Sequence, residues 1–358
     1  MNSLKFSKLK KFFLRIYFLL PGFLFLGRPK TVYIFSLHAA GDLILSSKAI
    51  NLISQNFVTS NVVLVLSRPE VLSLARVWFP QIASISLDSF CLRSINRSDF
   101  IVNLTGPSYY PAFYSIKFSL RFVGFINNFS FTTNVFLLKF RLWFFPSFRR
   151  LSSHHIARNN LIAHLMFPST LVDISKQIFV DPSIQNLTNS RCINSTVTLF
   201  LPQNKLNKSY PKHLFLILLE QLLCLYPIVL LRHASDKPLS ETTLLNNPNL
   251  SEVVFDDWSS LLMHLRSSRL VVTSDSVVYH ITSAFNIPFV AIFGNTKSAF
   301  YRTDSTCGIH LDLSSTSSCY SGSLSSPYCN LDYCNPYCLN MLSVMPHKIV
   351  SAVKSLLL

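Results

Sequence analysis

The stretch Arg269–Asn295, RLVVTSDSVVYHITSAFNIPFVAIFGN, decides how this chain is read. It opens on Leu270-Val271-Val272, a short apolar run rich in β-branched residues and therefore strand-like. A polar elbow follows, Thr273-Ser274-Asp275-Ser276, and then Tyr279, Ile281, Ala284 and Phe285 recur at helical spacing. A second apolar run, Pro288–Phe293, ends at Gly294. The pattern predicts strand, turn, helix and strand, the repeat of a parallel α/β sheet. In such sheets ligands lie beyond the carboxyl ends of the strands, where helix N-termini direct N–H groups at anions. Asp275, Ser276 and His280 fall at that place. Taken singly, Asp275 or Ser276 reads first as a helix cap, and His280 as a partly buried core histidine.

Outward from this unit, 358 residues suggest two domains of ordinary size, and 49% apolar residues suffice for two cores. Charge is unevenly placed. Residues 1–180 carry 20 Lys+Arg against 5 Asp+Glu, whereas residues 181–358 carry 12 against 11. Between Ile101 and Val172 there is no acidic residue at all, while Lys117, Arg121, Lys139, Arg141, Arg149, Arg150 and Arg158 are present. Such one-sided charge favours an anionic partner: nucleic acid, an acidic membrane surface or a phosphorylated substrate. No nucleic-acid-binding motif accompanies it, so nucleic acid is not expected as a partner.

Residues 1–30 read as a basic, aromatic leader. Lys5, Lys8, Lys10, Lys11 and Arg15 interleave with Leu4, Phe6, Leu9, Phe12, Phe13, Ile16 and Tyr17. The uninterrupted apolar run Ile16–Leu26 is 11 residues long and contains Pro21, well short of the ~20 residues that span a bilayer. No small-residue cleavage site follows; Gly27-Arg28-Pro29-Lys30 leads straight into a strand. A segment lying in the interface of an anionic leaflet is the expectation, with the protein cytoplasmic and peripheral on the inner membrane. Of eight cysteines, Cys307, Cys319, Cys329, Cys334 and Cys338 cluster late in the chain, at spacings without a C-x-x-C knuckle, so zinc is only weakly signalled.

In chain order, Thr31–Leu37, Val62–Leu66, Ile82–Leu87 and Phe100–Leu104 read as strands, with Ser119–Phe125 as a fifth ending near Gly124. One helical pattern runs through Leu43, Leu45, Ala49, Ile50 and Ile53, and another covers Glu70–Trp78. The alternation predicts a doubly wound first domain over 31–185. Residues 126–170 are Phe-rich and basic, with Leu161, Ile162, Leu165 and Met166 at helical spacing; a substrate-facing insertion and a helical flank both fit. Asp181–Asn194 is the candidate linker. A second domain, 190–345, restarts with a strand at Thr196–Leu201, a helix at Pro211–Leu225 and a strand at Pro227–Arg232. After a polar loop, Ala234–Asn249, come a strand at Val253–Phe255 and a helix at Trp258–Leu265. A terminal helix covers 346–358, and no sequence repeat is found.

The opening stretch resembles the signature of glycosyltransferase family 9, the ADP-heptose:lipopolysaccharide heptosyltransferases. Members typically read V-V-T/S-x-D-S/T-G-x-x-H, then A-x-x-x-x-K/R-P, then A-L/I-F/Y-G-P/S-T. Val271, Val272, Thr273, Asp275, Ser276, His280, Ala284, Pro288, Ala291, Ile292, Phe293, Gly294 and Thr296 stand in register. Val277 takes the place of the family glycine, and Asn295 that of Pro or Ser. The resemblance extends to Gly41-Asp42 after the first strand, although the basic residue expected upstream is replaced by the Ser36-Leu37-His38 vicinity. It also covers Thr198–Pro211, where Lys208 and Tyr210-Pro211 follow a loop containing Gln203 and Asn204. Alone, Asp42 reads as a cap and Lys208 as a surface lysine, with Lys205 a near alternative.

The resemblance implies two Rossmann-like, doubly wound α/β domains facing across a cleft, the GT-B-type architecture. It implies an inverting, metal-independent sugar transferase with no cofactor, and the chain lacks a D-x-D pair. The donor would be a nucleotide sugar of the ADP-heptose kind, bound by Gln203, Asn204, Lys208, Asp275, Ser276, Val277 and His280. The acceptor would be an anionic, lipid-linked saccharide lying against Gly41, Arg121, Arg149 and Arg150. Asp42 would act as base, and Lys208 would stabilise the leaving diphosphate. The alternatives are transfer of another nucleotide sugar in surface polysaccharide synthesis and a catalytically degenerate membrane-associated relative.

Overall fold

The computed structural model describes residues 29–37, 39–91, 99–104, 121–124, 156, 159–160, 163, 176–186, 195–201, 209–236, 238, 244, 246–294, 296, 298–312 and 339–358. Contacts divide these residues into two compact units, the first running up to Ala163 and the second beginning at Lys176.

The first unit follows β1 (Thr31–Ser36), α1 (Ala40–Leu45), α2 (Ser47–Asn56), β2 (Asn61–Leu66), α3 (Pro69–Trp78), β3 (Ala83–Ser86), α4 (Leu87–Cys91), β4 (Phe100–Asn103) and β5 (Arg121–Gly124). All strand pairs are parallel, in the order β3-β2-β1-β4-β5. The central strand β1, TVYIFS, is buried on both faces, as β-branched and aromatic side chains in a helix-covered sheet require. On one face Tyr33 and Phe35 each meet the ring of Phe90 edge-on at 4.9 Å, with Val63, Val65 and Ile101 completing that core. Where β1 begins, the buried carboxylate of Asp99 accepts the Thr31 N–H at 3.1 Å. In α3, Pro69 occupies the first turn, Glu70 lies there too, and Arg76 closes the helix, a charge order that suits its dipole. The helical pattern from Leu43 to Ile53 is realised as two helices that break at Ser46.

The second unit contains α5 (Pro182–Asn186), β6 (Val197–Phe200), α6 (Lys212–Leu223), β7 (Ile228–His233), β8 (Leu250–Phe255), α7 (Trp258–Ser267), β9 (Leu270–Ser274), α8 (Val277–Ala284), β10 (Phe289–Phe293), α9 (Ser298–Tyr301), β11 (Gly308–Asp312), α10 (Leu339–Ser343) and α11 (Pro346–Leu357). Its six parallel strands run β11-β10-β9-β6-β7-β8. Both sheets therefore wind outward in two directions from their first strand, and the doubly wound expectation holds for each. Strand β11 was not foreseen in the sequence, and β8 is longer than the expected Val253–Phe255.

The core of the second unit joins Leu214, Leu218, Leu219 and Leu222 of α6 to Ile349 and Val353 of α11 over the strands. Tyr210 is fully buried there, and its hydroxyl donates to the Val344 carbonyl; burial pushes its pKa up. Asp257 caps α7 by accepting the Ser260 N–H at 2.8 Å, a bond that holds its carboxyl below the usual range. Lys176 enters this unit by donating its N–H to Asp304 at 2.7 Å.

Candidate functional site

In a doubly wound sheet the crevice opens where neighbouring strands send their connections to opposite faces. In the first unit that point lies between β1 and β4, and in the second between β6 and β9. The sequence puts a candidate carboxylate just beyond the carboxyl end of one strand of each pair: Asp42 after β1 and Asp275 after β9.

Asp42 sits in the first turn of α1, half-buried like its neighbour Gly41. Its Oδ2 accepts the Ala39 N–H at 3.3 Å, the acidic half of a capping box. Ala39 has no side-chain acceptor to complete the other half. The capping role read from the sequence is thus present, through a long bond.

The second elbow is denser. Strand β9 brings Thr273 and Ser274, both buried, to the elbow, with Thr273 opposite Phe200 of β6 and Ser274 opposite Ile292 of β10. The Asp275 N–H donates to the Ile292 carbonyl at 3.1 Å and so prolongs the ladder by one residue. Ser276 then occupies the N-cap of α8 in extended conformation, yet its side chain makes no cap bond. Its Oγ pairs with Thr273 Oγ1 at 3.1 Å instead. Asp275 and His280 are 8% and 4% exposed, and their Oδ1 and Nε2 lie 3.9 Å apart. That separation suits an ion pair when the ring is protonated, but it is too long for a hydrogen bond. Val277 is the first helical residue. Asn286, at φ 51°, is the described non-glycine residue with positive φ, so nothing in the backbone at Val277 demands glycine. The far end of α8 is closed by that Asn286: the Asn286 N–H donates to Ser283 O and the Ile287 N–H to Thr282 O, a Schellman turn just before Pro288.

Behind the elbow lies a polar network that sequence reading missed. Tyr279 is fully buried among Phe289, Phe293 and His310. Its hydroxyl accepts the Thr303 N–H at 3.0 Å and lies 2.9 Å from His310 Nε2. Thr303 in turn bonds the Ser283 hydroxyl. Burial, with Arg302 nearby, lowers the His310 pKa to about 4, and burial raises that of Tyr279 to about 12. The ring is therefore neutral near pH 7, and its Nε2 shares a hydrogen bond with the tyrosine hydroxyl. The one weak signal in the sequence was His310 flanked by Ile309 and Leu311 in a strand-like alternation.

Gln203, Asn204, Lys208, Arg149 and Arg150 lie outside the described residues, as do the leader before Pro29 and Cys319, Cys329, Cys334 and Cys338. Arg121 is described as backbone of β5. A groove of about 340 Å³ opens at the amino ends of β9 and β10, the edge opposite the elbow. Its two arginines are engaged: Arg266 lies 4.8 Å over the Phe285 ring, and Arg269 donates to the Leu357 carbonyl at 3.2 Å. It is not the site of the sequence motif.

Residues 153–306, which include the whole elbow, match the model of glycosyltransferase family 9 (heptosyltransferase). The fold agrees across most of the chain. The ADP-heptose lipopolysaccharide heptosyltransferase II of E. coli is 12% identical, with a TM-score of 0.60 over 91% of this chain and 98% of that one. A glycosyltransferase family 9 protein from Veillonella parvula DSM 2008 is 14% identical, with a TM-score of 0.61 over 92% and 97%. The E. coli heptosyltransferase WaaC, solved with ADP, is 13% identical, with a TM-score of 0.52 over 78% and 92%. At such identities the likeness is one of fold, and that fold is the two-unit α/β, GT-B-type architecture. No curated protein matches the sequence significantly.

Proposed function

We propose that this protein is an inverting glycosyltransferase that moves a heptose-like sugar from an ADP-heptose-like donor to a phosphorylated lipopolysaccharide core or related lipid-linked saccharide. The reading is carried by the Asp275–Ser276–His280 elbow at the switch point of the second sheet, inside the family match. The donor diphosphate is received at the start of α8, where first-turn N–H groups and the helix dipole favour an anion. Lys208 adds charge as the glycosidic bond breaks. Asp42 removes the proton from the acceptor hydroxyl, whose oxygen attacks the anomeric carbon. The bond to the diphosphate oxygen breaks with its electron pair, and the nucleoside diphosphate leaves. One displacement inverts the centre. The basic first half receives the anionic acceptor, and the leader rests on the membrane surface.

The test is ADP release from ADP-heptose with heptose-free lipopolysaccharide core as acceptor. Wild-type protein is expected to turn over, and Asp42→Asn to lose about 10²- to 10⁴-fold in kcat, the range for removal of a general base. Unchanged kcat in that variant sinks the base assignment.

A second reading, transfer of another nucleotide sugar, is favoured by Val277, whose half-buried branched side chain stands at the first helical position. Calorimetric titration with ADP-, GDP- and UDP-sugars separates the two readings, since the favoured nucleotide alone binds at micromolar level.

A further inference from the structure

The break at Ser46 is unexplained by the sequence pattern, which runs apolar from Leu43 to Ile53 at helical spacing. The hydrogen bonds account for it. The Ser46 N–H is shared between Asp42 O at 3.0 Å and Leu43 O at 3.1 Å. The Ser46 hydroxyl donates back to the same Asp42 carbonyl at 2.7 Å, a local competition that bends helices. The side-chain amide of Asn159 then donates to Ser46 Oγ at 2.7 Å, across 113 residues of sequence. Asn159 is a helical residue flanked by the buried Ile156 and Ala163, and both Asn159 and Ser46 are fully buried.

We propose that Asn159 is a positioning residue that acts through Ser46 to aim the carboxylate of Asp42; the inference rests on the reading of Asp42 as base. The helix bearing Asp42 is six residues long, too short to hold itself in place without tertiary support. Its carboxylate accepts the Ala39 N–H through a long bond, 3.3 Å. The carbonyl of the same residue, however, takes two donors, and the stronger of them is pinned by an amide from a distant helical segment. A carboxylate that removes a proton has to sit close to its productive place, and an error of about 1 Å can cost 10²-fold in rate. The Asn159–Ser46–Asp42 chain supplies that constraint from behind, without touching substrate.

The experiment compares Asn159→Ala and Ser46→Ala, each alone and combined with Asp42→Asn. Transfer is assayed with the nucleotide sugar that binds tightest in calorimetry, and melting temperatures are recorded. Both single variants are expected to lose about 10- to 100-fold in kcat while KM for the donor stays within about two-fold of wild type, since the donor is held by the second unit. Added to Asp42→Asn, neither is expected to lower kcat further, because residues acting through one group are not additive. Wild-type kcat in both single variants overturns the inference, as does a loss of the same size in the Asp42→Asn background, which marks a merely structural tie. If Asn159→Ala does not fold, Ser46→Ala decides, since it removes one hydroxyl. Full activity of Asp42→Asn alone is the separate outcome that overturns the base reading, and the inference with it.

Discussion

His310 shows how one buried side chain couples stability to pH. Its ordinary pKa near 6.5 is lowered to about 4 by burial and by Arg302, against the opposing pull of Asp312. Between these values the unfolded chain binds a proton that the folded chain refuses. Stability from this group is therefore complete above about pH 6.5 and is lost progressively as pH falls toward 4. Replacing His310 with Asn removes the titration. The denaturation midpoint of wild type is expected to drop between pH 7 and pH 5 by more than that of His310→Asn. Parallel curves would show that the histidine is not the titrating group. Tyr279→Phe leaves the Thr303 N–H without its acceptor and should cost about 1–3 kcal/mol by urea denaturation at pH 7. At the elbow itself, the types and spacing of Asp275, Ser276 and His280 were legible, because a short strand, a polar turn and a helix leave few places for them. That Ser276 would bond Thr273 in place of capping the helix was not legible, since two hydroxyls three residues apart offer both choices.

Among elements, the two glycines that bound β10 and β11 carry packing that no apolar pattern reveals. A Cβ on Gly294, at the end of β10, would stand 2.6 Å from Met341 Cγ. One on Gly308, the first residue of β11, would stand 2.3 Å from the Phe289 ring. Methionine can bend aside, whereas Phe289 is locked against Tyr279 and His310. Gly294→Ala is expected to cost about 1–3 kcal/mol and Gly308→Ala more, measured by chemical denaturation; the reverse order would contradict this packing. The same contrast explains which elements could be read in advance. β1, β6, β9 and β10 are buried along nearly all their length, so their apolar runs announced them. β11 is half-exposed throughout and looked like loop. The helix from Leu43 appeared continuous because its interruption is made by the hydrogen bonds of Ser46, one of them from the distant Asn159, and such bonds leave no trace in local spacing.

For the molecule as a whole, charge asymmetry and fold are separate facts. No helix among the described residues is long and apolar enough to cross a membrane; the proposed attachment to the membrane surface rests on the leader. The full chain is expected to sediment with phosphatidylglycerol vesicles at low salt and to be released near 1 M salt, where screening acts within about 3 Å. Deleting residues 1–28 should abolish co-sedimentation while leaving ADP binding intact. Equal binding after the deletion would assign the contact to the folded part.

The hydroxyl of Tyr210 reaches a carbonyl 134 residues further along the chain. During synthesis the segment around Lys208 emerges long before Val344, and until then Tyr210 lacks the partner that fastens it. A nascent chain halted between Asp312 and Val344 would own every strand of the second sheet yet have no anchor for the segment proposed to grip the nucleotide. Competence to capture donor should therefore arise late and abruptly, after the sheet has formed.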